Sequence, residues 1–310
     1  MRLASLFRHL RSLVLGREEP PPFPPRPATG IPEFDPAAAP RPTFLVGVGR
    51  SGTHFFHELM RRDPSIASFH LDTRRTTIAD SFVQYCLWNE LPVDPGAFLA
   101  DRLQVIGDAA SEGRVYFEAN PYLALSVRML NEHAGAKFML LTRDPRKVVD
   151  SHVRKGWYRS VPFVSAPDKA TGFQPFLQAN HAFGRLAPRG TEFLRWKELT
   201  QIGRISWYWN ALNLRILEQF DALPAERRMI VAVEGVDYRA YRMYHSWIGG
   251  THPLTQRRFS SIRTARPGKG LKRGPCSSWS DQEQREFLAE TQPAREALSA
   301  FLPPAIFGAE

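Results

Sequence analysis

From Thr43 onward, short unbroken apolar runs alternate with stretches of helical periodicity. Thr43–Val48, Val115–Ala119, Lys137–Thr142 and Arg228–Glu234 read as strands, each too short for a helix and rich in Val, Leu and Phe. Helical patterns follow or separate them: His54–Arg62, Pro121–His133, Pro145–Lys155, Ser206–Phe220 and Val236–Ile248. Strand alternating with helix is the pattern of a parallel sheet covered by crossover helices, so the predicted fold class is α/β with helices on both faces. The aromatic-rich stretch 157–205 shows no clear strand and reads as helices and loops over one side.

Ahead of this region the pattern changes. Leu3, Leu6, Phe7, Leu10, Leu13 and Val14 share one face of a helix whose other positions carry Arg2, Arg8, His9, Arg11 and Arg17. Residues 1–19 therefore read as a basic amphipathic helix, which lies on an anionic membrane surface through residues 1–17 or packs on its own domain. Residues 20–42 hold ten prolines in 23 positions and read as a linker, leaving 43–310 as the folded domain.

Composition narrows the classes. At 310 residues with 43% hydrophobic positions, the chain has the make-up of one large α/β domain or two small ones. Two cysteines far apart, Cys86 and Cys276, make neither a disulfide framework nor a metal cluster and fit a reducing compartment. No apolar run spans a bilayer and no secretory leader is recognisable, so the expected location is the cytoplasm, with the basic helix as an optional contact to the inner face of the membrane. The net charge of +10 points to an anionic partner. Seven basic residues and no acidic one stand between Thr255 and Gly274, in one short stretch unlike any nucleic-acid-binding motif, so no nucleic-acid partner is expected.

The sharpest chemical signal is Val46-Gly47-Val48-Gly49-Arg50-Ser51-Gly52-Thr53-His54, placed after a strand and opening a helix. Glycines let backbone amides approach a phosphate, and the helix N-terminus adds favourable potential. The glycines fit the Walker spacing, but Thr53 stands at the lysine position and His54 at the magnesium-binding hydroxyl position. Metal-assisted cleavage of a triphosphate lacks both groups here, which disfavours a P-loop kinase. The cation sits inside the loop instead, at Arg50.

Gly49-Arg50-Ser51-Gly52-Thr53 resembles the 5′-phosphosulfate loop of the sulfotransferases that use 3′-phosphoadenosine-5′-phosphosulfate (PAPS). The resemblance implies a P-loop-type fold, PAPS as donor and no metal, with Arg50 steadying the leaving oxygen and Ser51, Gly52 and Thr53 holding the 5′-phosphate. His54 replaces the family's usual hydroxyl residue and is kept as a further donor. Phe138 to Ser151 resembles the family's 3′-phosphate element, which assigns Arg143 and Ser151 to that phosphate; an arginine fork suits it chemically. Lys272-Arg273-Gly274 through Trp279 resembles the family's C-terminal nucleotide loop, with its first two residues exchanged and Ser277 at the second glycine. Weaker similarities are Glu118-Ala119-Asn120-Pro121, lacking the family's lysine at Ala119, and Val231-Ala232-Val233-Glu234. Arg74 or Arg75 is the available substitute for the lysine.

In such an enzyme a general base removes the acceptor proton as the sulfuryl group moves in line. His70, Asp72 and Glu118 are the candidates, with Asp72 preferred and His70 next. The expected acceptor is a hydroxyl or amine on a small molecule, carbohydrate or lipid. Trp157, Tyr158, Trp196, Trp207, Tyr208 and Trp209 line its pocket or fill core, and Phe259 and Trp279 stack near adenine or fill core. The competing readings are a nucleotide-binding protein of the same fold without catalysis and, against the loop chemistry, a P-loop kinase.

Overall fold

The computed structural model describes residue 35 and residues 40–71, 74–161, 166, 168–170, 186–265 and 279–307, with backbone alone at 74–78, 97 and 304. The N-terminal helix, most of the proline-rich segment, Asp72, Lys272, Arg273 and Gly274 lie outside the described residues.

Five strands form one parallel sheet in the order β2-β3-β1-β4-β5: β1 Thr43–Val46, β2 Ile66–Phe69, β3 Val115–Ala119, β4 Lys137–Thr142 and β5 Arg228–Ala232. The runs TFLV and FMLL are buried at every position, as expected where both faces of a parallel sheet are covered. One face carries α1 Thr53–Met60, α8 Tyr238–Ile248 and α9 Gln256–Ala265, packed through Phe56, Leu59, Tyr241, Ile248 and Phe259. The other carries α2 Arg74–Trp88, α3 Pro95–Ser111, α4 Val127–Ala134, α5 Pro145–Arg154, α6 Gly190–Trp196, α7 Gln201–Asp221 and α10 Asp281–Ser299. Leu103, Leu130, Val148, Trp209 and Phe287 from these helices fill its core. This is a three-layer α/β fold of P-loop type, with the glycine loop leaving central strand β1 and entering α1.

All four expected strands are present; β3 and β4 match residue for residue, and β5 ends at Ala232 in a short 3-10 turn. Strand β2 went unread because its four residues lie between two turns and only Ile66 and Phe69 are large and apolar. The connection after β3 is a 3-10 turn, Pro121–Leu123, followed by α4, where one continuous helix was expected. Helices α2, α3 and α10 also lacked a clear signal, α2 having a mixed polar pattern. The chain leaves β1 toward β2 and β3 on one side and toward β4 and β5 on the other. The crevice outside the carboxyl ends of β3, β1 and β4 is therefore where a parallel α/β sheet presents its ligand site.

Candidate functional site

The glycine loop is held in a shape that requires glycine at two of its positions. At Gly47 a Cβ would stand 2.2 Å from the carbonyl oxygen of Leu141, because β1 and β4 run side by side there. Gly52 caps α1 with φ 114°, and a Cβ on it would meet Val233 Cγ2 at 3.0 Å. Between them Arg50 adopts φ 74°, a left-handed backbone that non-glycine residues rarely take outside functional turns. Ser51 N–H donates to Val48 O (3.2 Å), closing the turn. The Ser51 side chain is fully buried, and its Oγ has no hydrogen-bond partner among the described residues. The first turn of α1 begins at once with Thr53, so its backbone amides open onto the same point.

The second motif meets the first. Asp144 caps α5 by accepting from Arg146 N–H, and Pro145 takes the first helical position, which leaves Arg143 at the strand end facing the loop. Arg143 donates through NH1 to the carbonyl of Arg50 (3.0 Å), and Arg50 Nε donates to Ser151 Oγ (2.9 Å). Residues about a hundred positions apart thus form one cationic corner. Burial, then Arg143 and Arg154, pull the Arg50 pKa below its ordinary value. Arg143 is lowered by burial and by Arg154, against the pull of Glu234 and Asp144. Glu234, at the end of the β5 turn, sits 3.8 Å from Arg143 Nε and 3.3 Å from Lys147 Nζ. Three guanidiniums crowded together favour an anion among them. Beneath the loop lies a floor made by Trp157 and Tyr208, both noted in the sequence, and by His152, which was not. His152 is buried, stacks on Trp157 (4.6 Å between centroids) and meets Tyr208 edge-on. A Cβ at Gly49 would make only ordinary contact with His152 Nε2, at 3.8 Å, so nothing at that position in the sequence announces the histidine.

Across the loop stands an imidazole cluster. His54 is exposed in the first turn of α1, with its ring centroid 5.4 Å from that of His70 and 6.2 Å from that of His57. His57 and His70 are 5.8 Å apart, and His57 Nδ1 pairs with Ser68 Oγ at 3.0 Å. His70 Nδ1 lies 2.5 Å from Ala119 O. A carbonyl only accepts, so Nδ1 carries a proton, and in the neutral tautomer the lone pair then falls on Nε2. Leu71, next in the chain, is also left-handed, at φ 49°.

Glu118 is placed differently from a free base. Its oxygens receive Arg102 Nε (2.9 Å) and NH2 (3.2 Å), Tyr116 Oη (2.7 Å) and Asn120 Nδ2 (3.0 Å). Arg102 NH2 also binds both oxygens of Asp80, at 3.1 and 3.0 Å. Burial pushes Glu118 up, but Arg102 and the hydrogen bonds from Arg102, Asn120 and Tyr116 hold it below the usual carboxylate range. Burial raises Asp80, reinforced by Glu118, in spite of Arg102. Asp80, Arg102 and Tyr116 were not singled out in the sequence, since they occupy core positions of stretches without a motif.

Of the aromatic candidates, Trp196 and Trp209 are fully buried, and Tyr158, Trp207 and Tyr208 are nearly so; Trp157 is the half-buried one beside the loop. Phe259 stacks on Tyr241 in the core, and Trp279 packs on Phe287. Among the described residues no group of three His, Cys, Asp or Glu is arranged to hold a metal ion. No helix among them is long and apolar enough to cross a membrane.

No family model matches the chain, and no curated protein matches it. Among solved structures it is similar to the sulfotransferase domain from the curacin biosynthetic pathway, at 14% identity over 85% of this chain and 99% of that one, with a TM-score of 0.45. A sulfotransferase from Alicyclobacillus acidocaldarius gives 14%, 84%, 95% and 0.45, and sulfotransferase STF9 from Mycobacterium avium gives 14%, 85%, 77% and 0.44.

Proposed function

We propose that this chain is a sulfotransferase that passes the sulfuryl group of PAPS to a hydroxyl or amine of a small-molecule, carbohydrate or lipid acceptor, releasing 3′-phosphoadenosine-5′-phosphate (PAP). The observation that carries the reading is the junction of the two motifs, where Arg50 Nε meets Ser151 Oγ at 2.9 Å and Arg143 holds the Arg50 carbonyl. A loop and a strand-end arginine that belong to different phosphates of one nucleotide have to converge in this way. The buried Ser51 Oγ, without a partner among the described residues, fits a phosphate oxygen as its missing one.

In this reading the loop amides, Ser51, Gly52, Thr53 and the α1 N-terminus hold the 5′-phosphate, with His54 as a further donor. Arg143 and Ser151 hold the 3′-phosphate, joined by Lys272, Arg273 and Gly274. PAPS supplies the activated sulfuryl group. Arg50 neutralises charge at the leaving oxygen, already oriented by Ser151. His70 takes the acceptor proton on Nε2, its Nδ1 proton being committed to Ala119 O. Glu118 is set aside as the base because both its oxygens are occupied, and Asp72 is the alternative to His70.

Thermal melting of the full chain with PAP, with ATP plus Mg²⁺, and with neither tests the donor assignment. PAP is expected to raise the midpoint and ATP–Mg²⁺ to leave it nearly unchanged, since a ligand stabilises the state that binds it. Sulfur-35 transfer from labelled PAPS to an acceptor panel then separates an enzyme from a binding protein that melts higher with PAP but never turns over. A shift with ATP–Mg²⁺ and none with PAP sinks the proposal.

A further inference from the structure

Outside the cationic corner, five buried polar groups stand behind His70. Tyr116, Glu118 and Asn120 alternate onto the α2–α3 face of the sheet and join Asp80 of α2 and Arg102 of α3. All five are buried. Stability is a poor reason for such a cluster, because apolar residues of similar volume usually do as well or better than buried ion pairs. What the cluster holds is more informative. Asn120 Nδ2 donates to Asp80 (2.7 Å) and Glu118 (3.0 Å), and its Oδ1 accepts from Tyr122 N–H (3.0 Å), so this side chain is tied at both ends. Asn120 N–H donates to Leu45 O in β1 at 3.0 Å. That amide and the Ala119 carbonyl belong to one peptide plane. The plane is therefore fastened to β1 along one edge and offers the other edge to His70 Nδ1 at 2.5 Å.

We infer that Asp80, Arg102, Glu118, Tyr116 and Asn120 form a positioning device for His70, aiming the Ala119 carbonyl so that the imidazole keeps its proton on Nδ1 and turns Nε2 to the acceptor. These are positioning residues, acting through one peptide unit, and the inference rests on His70 as the base. The two residues flanking Ala119 both belong to the device, so a shift of the cluster turns the carbonyl. A one-ångström misplacement of a base is enough to slow proton transfer markedly.

Asp80→Asn and Tyr116→Phe test it in the full chain, the second variant removing one hydroxyl and little else. The readouts are the nitrogen-15 spectrum of the histidine rings, with the His70 signals assigned by their absence in His70→Gln, the PAP-induced melting shift, and kcat and KM for the acceptor. The expected result is a wild-type His70 fixed as the Nδ1–H tautomer that becomes a tautomer mixture in the variants. With it kcat falls about tenfold for Asp80→Asn, KM stays within about twofold, and the PAP shift is retained. An unchanged His70 tautomer and kcat alongside a lower melting point overturns the inference and leaves the cluster a structural one. If Asp80→Asn does not fold, Tyr116→Phe decides by the same spectrum. Full transfer by His70→Gln removes His70 as the base, and the tautomer measurement still reports whether the device orients it.

Discussion

The two sides of the crevice are built on opposite principles. On the β4 side, Arg50, Arg143 and Ser151 sit in an open, cationic corner whose neighbours include more positive charge from Arg154 and Lys147. On the β3 side, Asp80 and Glu118 are buried against Arg102 with hydrogen bonds to nearly every oxygen, behind a cluster of imidazoles. The first side is under-satisfied: Ser51 Oγ has no partner among the described residues, and Arg50, Arg143, Lys147 and Arg154 share the three carboxylates of Asp144, Asp150 and Glu234. The second is saturated. A ligand has something to contribute on the cationic side, whereas on the buried side the protein has already supplied the partners. Binding free energy is thus expected from one side and conformational precision from the other.

Substitutions that measure stability and ligand binding together sharpen this contrast. Arg102→Met is the most damaging, leaving two buried carboxylates without their guanidinium, at a cost of roughly 3–5 kcal/mol of unfolding free energy in urea titrations. Its folded fraction is expected to bind PAP as the wild type does.

Acid tests a third buried carboxylate, Asp63, at the entry to β2. Burial pushes it up, but bonds from Ser65 Oγ, His252 N–H, Ser65 N–H and His245 outweigh that and hold its pKa at about 2, below an unfolded value of 3.8. A depressed folded pKa contributes stability at pH above 3.8, and that contribution disappears as the pH falls through about 2. It amounts to roughly 2 kcal/mol, to be read as the difference between wild type and Asp63→Asn in urea midpoints across that range.

Arg143→Ala marks the small end for stability, less than about 1 kcal/mol because the side chain is partly exposed. The same change is expected to weaken PAP roughly 10–100-fold, the worth of a lost charged hydrogen bond, and to abolish most of the melting shift. Equal loss of stability in Arg143→Ala and Arg102→Met breaks the contrast.

Legibility in the sequence follows the same division. The loop Gly49-Arg50-Ser51-Gly52-Thr53 and the element Arg143 to Ser151 were readable because their chemistry is local: a glycine turn, a strand end, a cap and a proline occupy consecutive positions. Strands β1 and β4 were readable because burial on both faces leaves the apolar runs FLV and FMLL, and β3 because Val115-Tyr116-Phe117 reads as strand in spite of Glu118. Helices α2 and α3 were not, and with them went Asp80 and Arg102, since a charged residue at a core position looks like a break in the pattern until its partners are known. Glu118 was noticed but taken for a candidate base: Tyr116 stands only two positions away on the same strand face, but nothing nearby announces Arg102, which sits sixteen residues off on another element.

The amino-acid sequence by itself determined a parallel α/β domain with a glycine loop between its first strand and the helix that follows, through short-range sterics and periodicity. Tertiary structure alone decided that Arg50 and Ser151 touch, that Glu118 is sequestered, and that His70 carries its proton on Nδ1. Those are long-range pairings, and only the stacking order of the strands brings such groups within the 3 Å over which hydrogen bonds act.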